Sequence, residues 1–247
     1  MLFVTGDTHG KFDRFVDDTD IKEGDIVIVC GDFGVWHDNE REQKEFAKIT
    51  NKPYTIAFVD GNHENFDRLN NEFEVVDFHG GKAHKIKDNI FHLMRGYVFD
   101  FYGKKFFCFG GASSHDIMHG ILDPNDYRTN DEFLDVYNEY TAAGRLFRVR
   151  GVSWWDAELP SQEEMDRGRQ SLEAVNYKVD YVITHCLPTD IQSIYSYGEF
   201  KSDILTDYLM EIKNKLDFTA WFCGHYHDFN VVEGKYQILY WHIIQLL

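Results

Sequence analysis

Short apolar runs recur along this chain, and each stops abruptly at a glycine, an aspartate or a histidine. Thr55-Ile56-Ala57-Phe58-Val59 leads into Asp60-Gly61-Asn62-His63-Glu64. Leu2-Phe3-Val4-Thr5 leads into Gly6-Asp7-Thr8-His9-Gly10, and Ile26 to Cys30 leads into Gly31-Asp32-Phe33-Gly34. Val179 to Thr184 ends at His185-Cys186, and Thr219 to Cys223 ends at Gly224-His225-Tyr226-His227. Runs this short, rich in β-branched and aromatic residues, read as buried strands. Helix-like segments near Phe12 to Asp17 and Asn39 to Ile49 separate the first three, and Pro53 closes the second helix. That β-α-β-α-β alternation predicts a largely parallel sheet and an α/β fold. Singly, each strand end has a plainer explanation: Gly61-Asn62 as a turn, Gly6 to Gly10 as a polar entry to a helix, His225-Tyr226-His227 as a solvated loop. Their repetition argues for chemistry.

The rest of the chain reads as follows. A short helix is expected over Asn65 to Asn70, then hairpins from Glu74 to Phe109, with a turn at Asp100 to Lys105. Gly110 to Gly151 is the least regular stretch, and an irregular insertion at about 111–160 is expected to leave the core sheet. Ser161 caps a helix running to about Asn176, with Glu164 in the capping-box position. Leu205 to Leu216 reads as an amphipathic helix and Ile238 to Ile243 as a terminal strand. Trp154-Trp155 either packs the insertion onto the body or lines a pocket, packing being the plainer reading. With 43% hydrophobic residues in 247, residues 1–247 are expected to form one domain.

Charge narrows the partners. The 25 basic against 42 acidic residues give a formal charge of -17, which disfavours general nucleic-acid binding. A small phosphorylated substrate stays compatible, because bound divalent cations would invert the sign locally. Cys30, Cys108, Cys186 and Cys223 show no paired spacing and read as buried, reduced thiols. Met1 leads straight into Leu2-Phe3-Val4 without a leader pattern, and no apolar run approaches about 18 residues, so a cytoplasmic protein without membrane association is expected. Oligomeric state is left open.

In open α/β sheets, ligands bind beyond the carboxyl ends of the strands. If the runs ending at Asp7, Asp32, Asn62, His185 and His225 are neighbours in one sheet, their tips gather Asp7, His9, Asp32, Asn62, His185, His225 and His227. This set has no thiolate and too many donors for one tetrahedral ion. It suits two divalent cations sharing a carboxylate, with Mn, Fe, Zn, Co or Ni all compatible. Asp7 and His9, two apart on an extended segment, can reach the same cation, whereas His225 and His227 straddle Tyr226 and can serve one ion each.

Gly6-Asp7-Thr8-His9, Gly31-Asp32, Gly61-Asn62-His63-Glu64, Thr184-His185 and Gly224-His225-Tyr226-His227 resemble, in order, the five signature blocks of the calcineurin-like metallophosphoesterases. The resemblance implies a four-layer α/β/β/α sandwich with a dimetal site at the strand tips. It further implies that Asp7, His9 and His227 hold one metal, that Asn62, His185 and His225 hold the other, and that Asp32 bridges them. His63 would contact the phosphate, together with Asn62, and protonate the leaving alkoxide. The implied activity is hydrolysis of a phosphomonoester or small nucleotide diester by a metal-bridging hydroxide, with manganese the ion expected to support turnover. A nuclease, or a scaffold of the same fold without turnover, is the alternative; Lys82, Lys85, Lys87, Lys104 and Lys105 make only a thin basic set.

The chain departs from the family's better-known branches. Gly31-Asp32-Phe33-Gly34-Val35-Trp36 lacks the Asp-Arg that completes the second block in protein phosphatases, and no glycines follow His185. Both departures argue against protein phosphatase activity. Two further positions invite attention as substrate contacts. His115, with Asp116, follows Gly110-Gly111, where a glycine turn is the competing reading. Arg95 precedes Gly96, where a surface arginine is the competing reading. Glu64 either orients His63 or starts the next helix.

Overall fold

The strands of the computed structural model divide between two large sheets, and the alternation of side chains along each strand decides which layer each residue joins. Residues 1–17 and 20–247 are described. In chain order the elements are β1 (Leu2–Thr5), α1 (Asp13–Asp17), β2 (Ile26–Val29), α2 (Glu40–Ile49), β3 (Thr55–Phe58), α3 (Phe66–Asn71), β4 (Glu74–Phe78), β5 (Gly81–Lys87), β6 (Ile90–Leu93), β7 (Tyr97–Phe101) and β8 (Lys104–Phe109). There follow β9 (Ile121–Leu122), α4 (Asn130–Ala142), β10 (Arg148–Val149), α5 (Gln162–Ala174), β11 (Tyr181–Thr184), α6 (Thr189–Tyr195), α7 (Ile204–Lys213), β12 (Ala220–Cys223), β13 (Asn230–Val232), β14 (Tyr236–Ile238) and β15 (Ile244–Gln245).

One sheet has seven strands in the order β15-β1-β2-β3-β6-β5-β4, and the other has six in the order β13-β14-β12-β11-β8-β7. Leu2, Val4, Ile28 and Ala57 of the first sheet meet Phe106, Cys108, Ile183 and Phe222 of the second in a central core. The alternate residues Phe3, Val27, Val29 and Phe58 turn outward and pack with Phe12, Phe15, Phe46 and Ile49 of the α1 and α2 regions. On the far side Val182, Trp221 and Cys223 pack with Leu172, Ile191, Leu209 and Ile212 of α5, α6 and α7. Two sheets between two helical layers make an α/β/β/α sandwich. Strands buried on both faces read as continuous apolar runs, and each fully buried large side chain contributes about 1.5–3 kcal/mol.

Three expectations need correction. The functional strand ends do not belong to one sheet: β1, β2 and β3 lie in the first, β11 and β12 in the second. Residues 111–160 place no strand in either large sheet, yet they are not irregular, since they hold the paired strands β9 and β10 and the 13-residue helix α4. No residue of this helix is fully buried, although Phe133, Val136, Tyr137 and Tyr140 stand at the i, i+3, i+4, i+7 spacing of one helical face. The run after Ile238 is not one strand. It leaves β14, crosses to the other sheet and resumes as β15 antiparallel to β1.

Other local readings stand as expected. Asn39 caps α2, β7 and β8 form the antiparallel hairpin, and Ser161 with Glu164 forms the capping box of α5. All the cysteines are free and buried. No helix among the described residues is long and apolar enough to cross a membrane.

Candidate metal centre

β1, β2 and β3 are parallel and in register, with Thr5 opposite Val29 and Val29 opposite Phe58. Asp7, Asp32 and Asn62 therefore emerge side by side beyond their ends. In the other sheet β11 and β12 are likewise parallel, and deliver His185 and His225. Polar contacts join the two sets. The His225 amide donates to Asp7 Oδ1 at 2.9 Å, and His185 Nδ1 to the Cys30 carbonyl at 2.7 Å.

The recurrent glycines have a steric reason. A Cβ at Gly61 would collide with Asp32 Oδ1, and one at Gly224 with Asp7 Oδ1. Several functional residues themselves adopt the left-handed backbone that side chains disfavour: His9 at φ 47°, Asp32 at 48°, His225 at 68° and His227 at 50°.

Asp7, His9, Asp32 and His227 bring one donor atom each to within 4.8 Å of one another. His227 Nε2 lies 2.8 Å from His9 Nε2 and 3.1 Å from Asp7 Oδ2. On the other side the His185 and His225 rings stand 5.0 Å apart. Asp32 lies between the groups, its Oδ2 3.7 Å from His9 Nδ1 and its Oδ1 3.4 Å from His185 Nε2.

Two buried atoms here have no hydrogen-bond partner, Asn62 Oδ1 and His185 Nε2. Orphaned polar atoms are costly in a protein interior, and both are of the kind that binds a divalent cation. The oxygen and imidazole donors, with no thiolate among them, fit such ions.

Electrostatics divides the histidines. Burial opposes charge on Asp32, but His185, His63 and His9 hold its carboxyl well below the usual range. Burial likewise opposes protonation of His185, and Asp32 and Asp7 outweigh it, raising that imidazole to about 10. Burial depresses His9, His63 and His225. A cation replacing the His185 proton would meet the same favourable field.

The profile of the calcineurin-like phosphoesterase family matches residues 2–229 of this chain. The chain belongs to the calcineurin-like phosphoesterases. This is a family of metal-dependent phosphoesterases, in keeping with the Asp and His group just described. No curated protein matches the chain.

In this calcineurin-like phosphoesterase the His63 amide donates to Asp32 Oδ1 at 2.9 Å, and its ring stands 5.3 Å from that of His9. His115 is exposed beside the group, its ring 5.5 Å from His225. Arg95 is neither a substrate contact nor a surface residue. It is 4% exposed and its Nε donates to Asp60 at 2.9 Å, with Glu164 and the Ala157 carbonyl completing the shell. A guanidinium so enclosed has no face for a ligand.

Glu64 neither orients His63 nor starts a helix, for Asn65 caps α3. Its two oxygens accept from the Gly34 and Gly61 amides at 3.1 and 2.6 Å, tying together the loops that carry Asp32 and Asn62. Burial, then the nearby Asp32, pushes its carboxyl up to about 8. Trp155 packs the insertion onto the body, its Nε1 donating to Asp67 at 2.9 Å.

Sequence reasoning missed several supports of the site. Arg14 is buried and donates to the Asp7 carbonyl at 2.6 Å and the Tyr240 carbonyl at 2.7 Å, so the crossing C-terminal segment braces the Asp7 loop. Ser114 and Glu158 hold the Asn62 amide. Arg148, from β10, comes within 3.5 Å of His63 Nε2. Ser114 stands between Gly110-Gly111 and His115, so the glycine turn is the one signal that marks its neighbourhood. Arg148 and Glu158 stand in a segment with no periodic pattern to mark them.

Proposed function

We propose that this protein hydrolyses a small phosphoester, a monoester or a nucleotide diester, with two divalent metal ions held at the strand tips. The observation that carries the reading is the divided carboxylate of Asp32, one oxygen toward His9 and the other toward His185. In this reading Asp7, His9 and His227 hold one ion, Asn62, His185 and His225 hold the second, and Asp32 serves both. When bound, the pair supplies a nucleophile from water at neutral pH and neutralises the phosphoryl oxygens.

The chain's own groups do the rest. His63, tethered through its amide to Asp32, is placed to hand a proton to the leaving oxygen from its ring. Burial keeps that imidazole below its ordinary value, which favours release of the proton once it has one. A small substrate suits the charge of -17, and three of the five candidate lysines are engaged in ion pairs: Lys82 with Asp77, Lys85 with Asp88 and Lys104 with Asp180.

The test is turnover of an aryl phosphate and a bis-aryl phosphate by protein loaded with Mn²⁺. Hydrolysis of at least one, abolished in Asp32→Ala, is expected. No hydrolysis of either by metal-loaded protein, or hydrolysis that survives loss of Asp32, would overturn the reading. The relative rates separate monoesterase from diesterase.

A further inference from the structure

The insertion delivers a cation to His63. Arg148 sits on β10, outside both large sheets, and its side chain is 17% exposed. Its Nε donates to Asp116 Oδ1 at 2.9 Å and its Nη2 to Asp116 Oδ2, while the same Nη2 lies 3.5 Å from His63 Nε2. A guanidinium has five N–H donors. Asp116 engages two of them and a third faces His63. Among the described residues nothing takes the remaining pair on Nη1.

A planar fork held by a carboxylate, with spare donors beside a reacting group, is built to meet an oxyanion. An arginine serving only to fasten the insertion would not need its free end at the site. We propose that Arg148 is a substrate-contacting residue that donates to a non-bridging phosphoryl oxygen, and that Asp116 is the residue that positions it. The inference rests on the phosphoesterase reading above. It gives the insertion a direct part in substrate recognition, and the second block, which lacks an arginine after Asp32, is complemented from a distant segment.

The experiment compares wild-type protein with Arg148→Met and Arg148→Ala, all loaded with Mn²⁺, by calorimetric titration with inorganic phosphate alongside aryl phosphate turnover. Metal content and melting temperature are recorded for each. Loss of one charge-assisted hydrogen bond predicts phosphate binding weakened by about tenfold to a hundredfold at unchanged metal content. Guanidinium ion added to Arg148→Ala is expected to restore part of that affinity, an effect that loss of a merely structural tie would not show. Asp116→Asn, which keeps the cation but loosens it, is expected to lose less. If both Arg148 variants bind phosphate as the wild type does while wild-type turnover is intact, the inference falls and the phosphoesterase reading stands. If metal-loaded wild type neither binds phosphate nor hydrolyses ester, both fall together.

Discussion

The Asn62 side-chain nitrogen donates to Ser114 Oγ at 3.3 Å, which leaves the amide oxygen of Asn62 as its free end. Ser114 donates onward to Glu158 at 2.9 Å and also sends its backbone N–H to the same carboxylate at 3.1 Å. The insertion thereby decides which end of the amide faces the candidate metal centre. Removing such an orienting partner typically costs 10- to 100-fold in metal affinity. Ser114→Ala should weaken Mn²⁺ binding by about that factor at one of two sites, measured by titration calorimetry. Two unaltered binding isotherms would rule out the orienting role.

Glu64 joins two strand-end loops through their buried amides, and both N–H groups lose their acceptor once the carboxylate is gone. Each orphaned buried donor costs about 1–3 kcal/mol. Glu64→Ala should therefore lower stability by about 2–6 kcal/mol in urea unfolding, with Glu64→Gln intermediate because it keeps one acceptor. A loss under about 0.5 kcal/mol for the alanine variant would contradict the tie.

Burial raises the Glu158 carboxyl from 4.5 to about 8, against the hydrogen bonds from Ser114. Between those values the folded chain keeps a proton that the unfolded chain has released, so this group's contribution to stability falls as pH rises and levels off above about 8. Glutamine cannot ionise. In metal-depleted protein, the stability of Glu158→Gln relative to wild type should rise between about pH 5 and pH 8, by at most about 1.4 kcal/mol per unit. Urea titrations at both ends of that window provide the check, and a difference that stays flat or declines would show that Glu158 is ionised throughout. Asp60 has the opposite sign: Arg95 and His92 overcome its burial and hold it low, so its contribution is present above the usual carboxylate range and lost on acidification.

His63→Ala should keep both metals and lose turnover by about 10²- to 10⁴-fold, the usual worth of a general acid. Metal analysis with steady-state rates on an aryl phosphate and on an ester with a poorer leaving group gives the measure. The deficit should grow as the leaving group becomes more basic. Equal deficits on both esters would assign His63 to binding and not to proton transfer.

Strand ends were the legible part of the sequence. Val27 and Phe58 on one face of the sheet and Ile28 and Ala57 on the other are all buried, so their runs are continuous and stop where the chemistry starts. Which strands share a sheet was not legible, because β11 and β2 look alike as apolar runs and only their packing separates them. The residues that hold the site from outside were hidden for another reason. Arg14, Ser114, Arg148 and Glu158 act through contacts whose partners are remote in the chain, such as Arg14 with Tyr240 and Arg148 with His63. α4 was legible in principle, from Phe133, Val136, Tyr137 and Tyr140 at helical spacing and from Thr129 as its cap, but glycine-, proline- and asparagine-rich sequence on either side obscured it.

His9, Asp32, His225 and His227 hold their side chains at the centre only by adopting a backbone that costs of order 1–3 kcal/mol at a residue bearing a Cβ. Glycine, or to a lesser degree asparagine, would relax each of them. Sturdiness and chemistry thus pull in opposite directions at the same few codons. A population of variants sorted for thermal survival alone should shed these side chains early, and the folds that endured longest would be the ones that had given up the candidate centre.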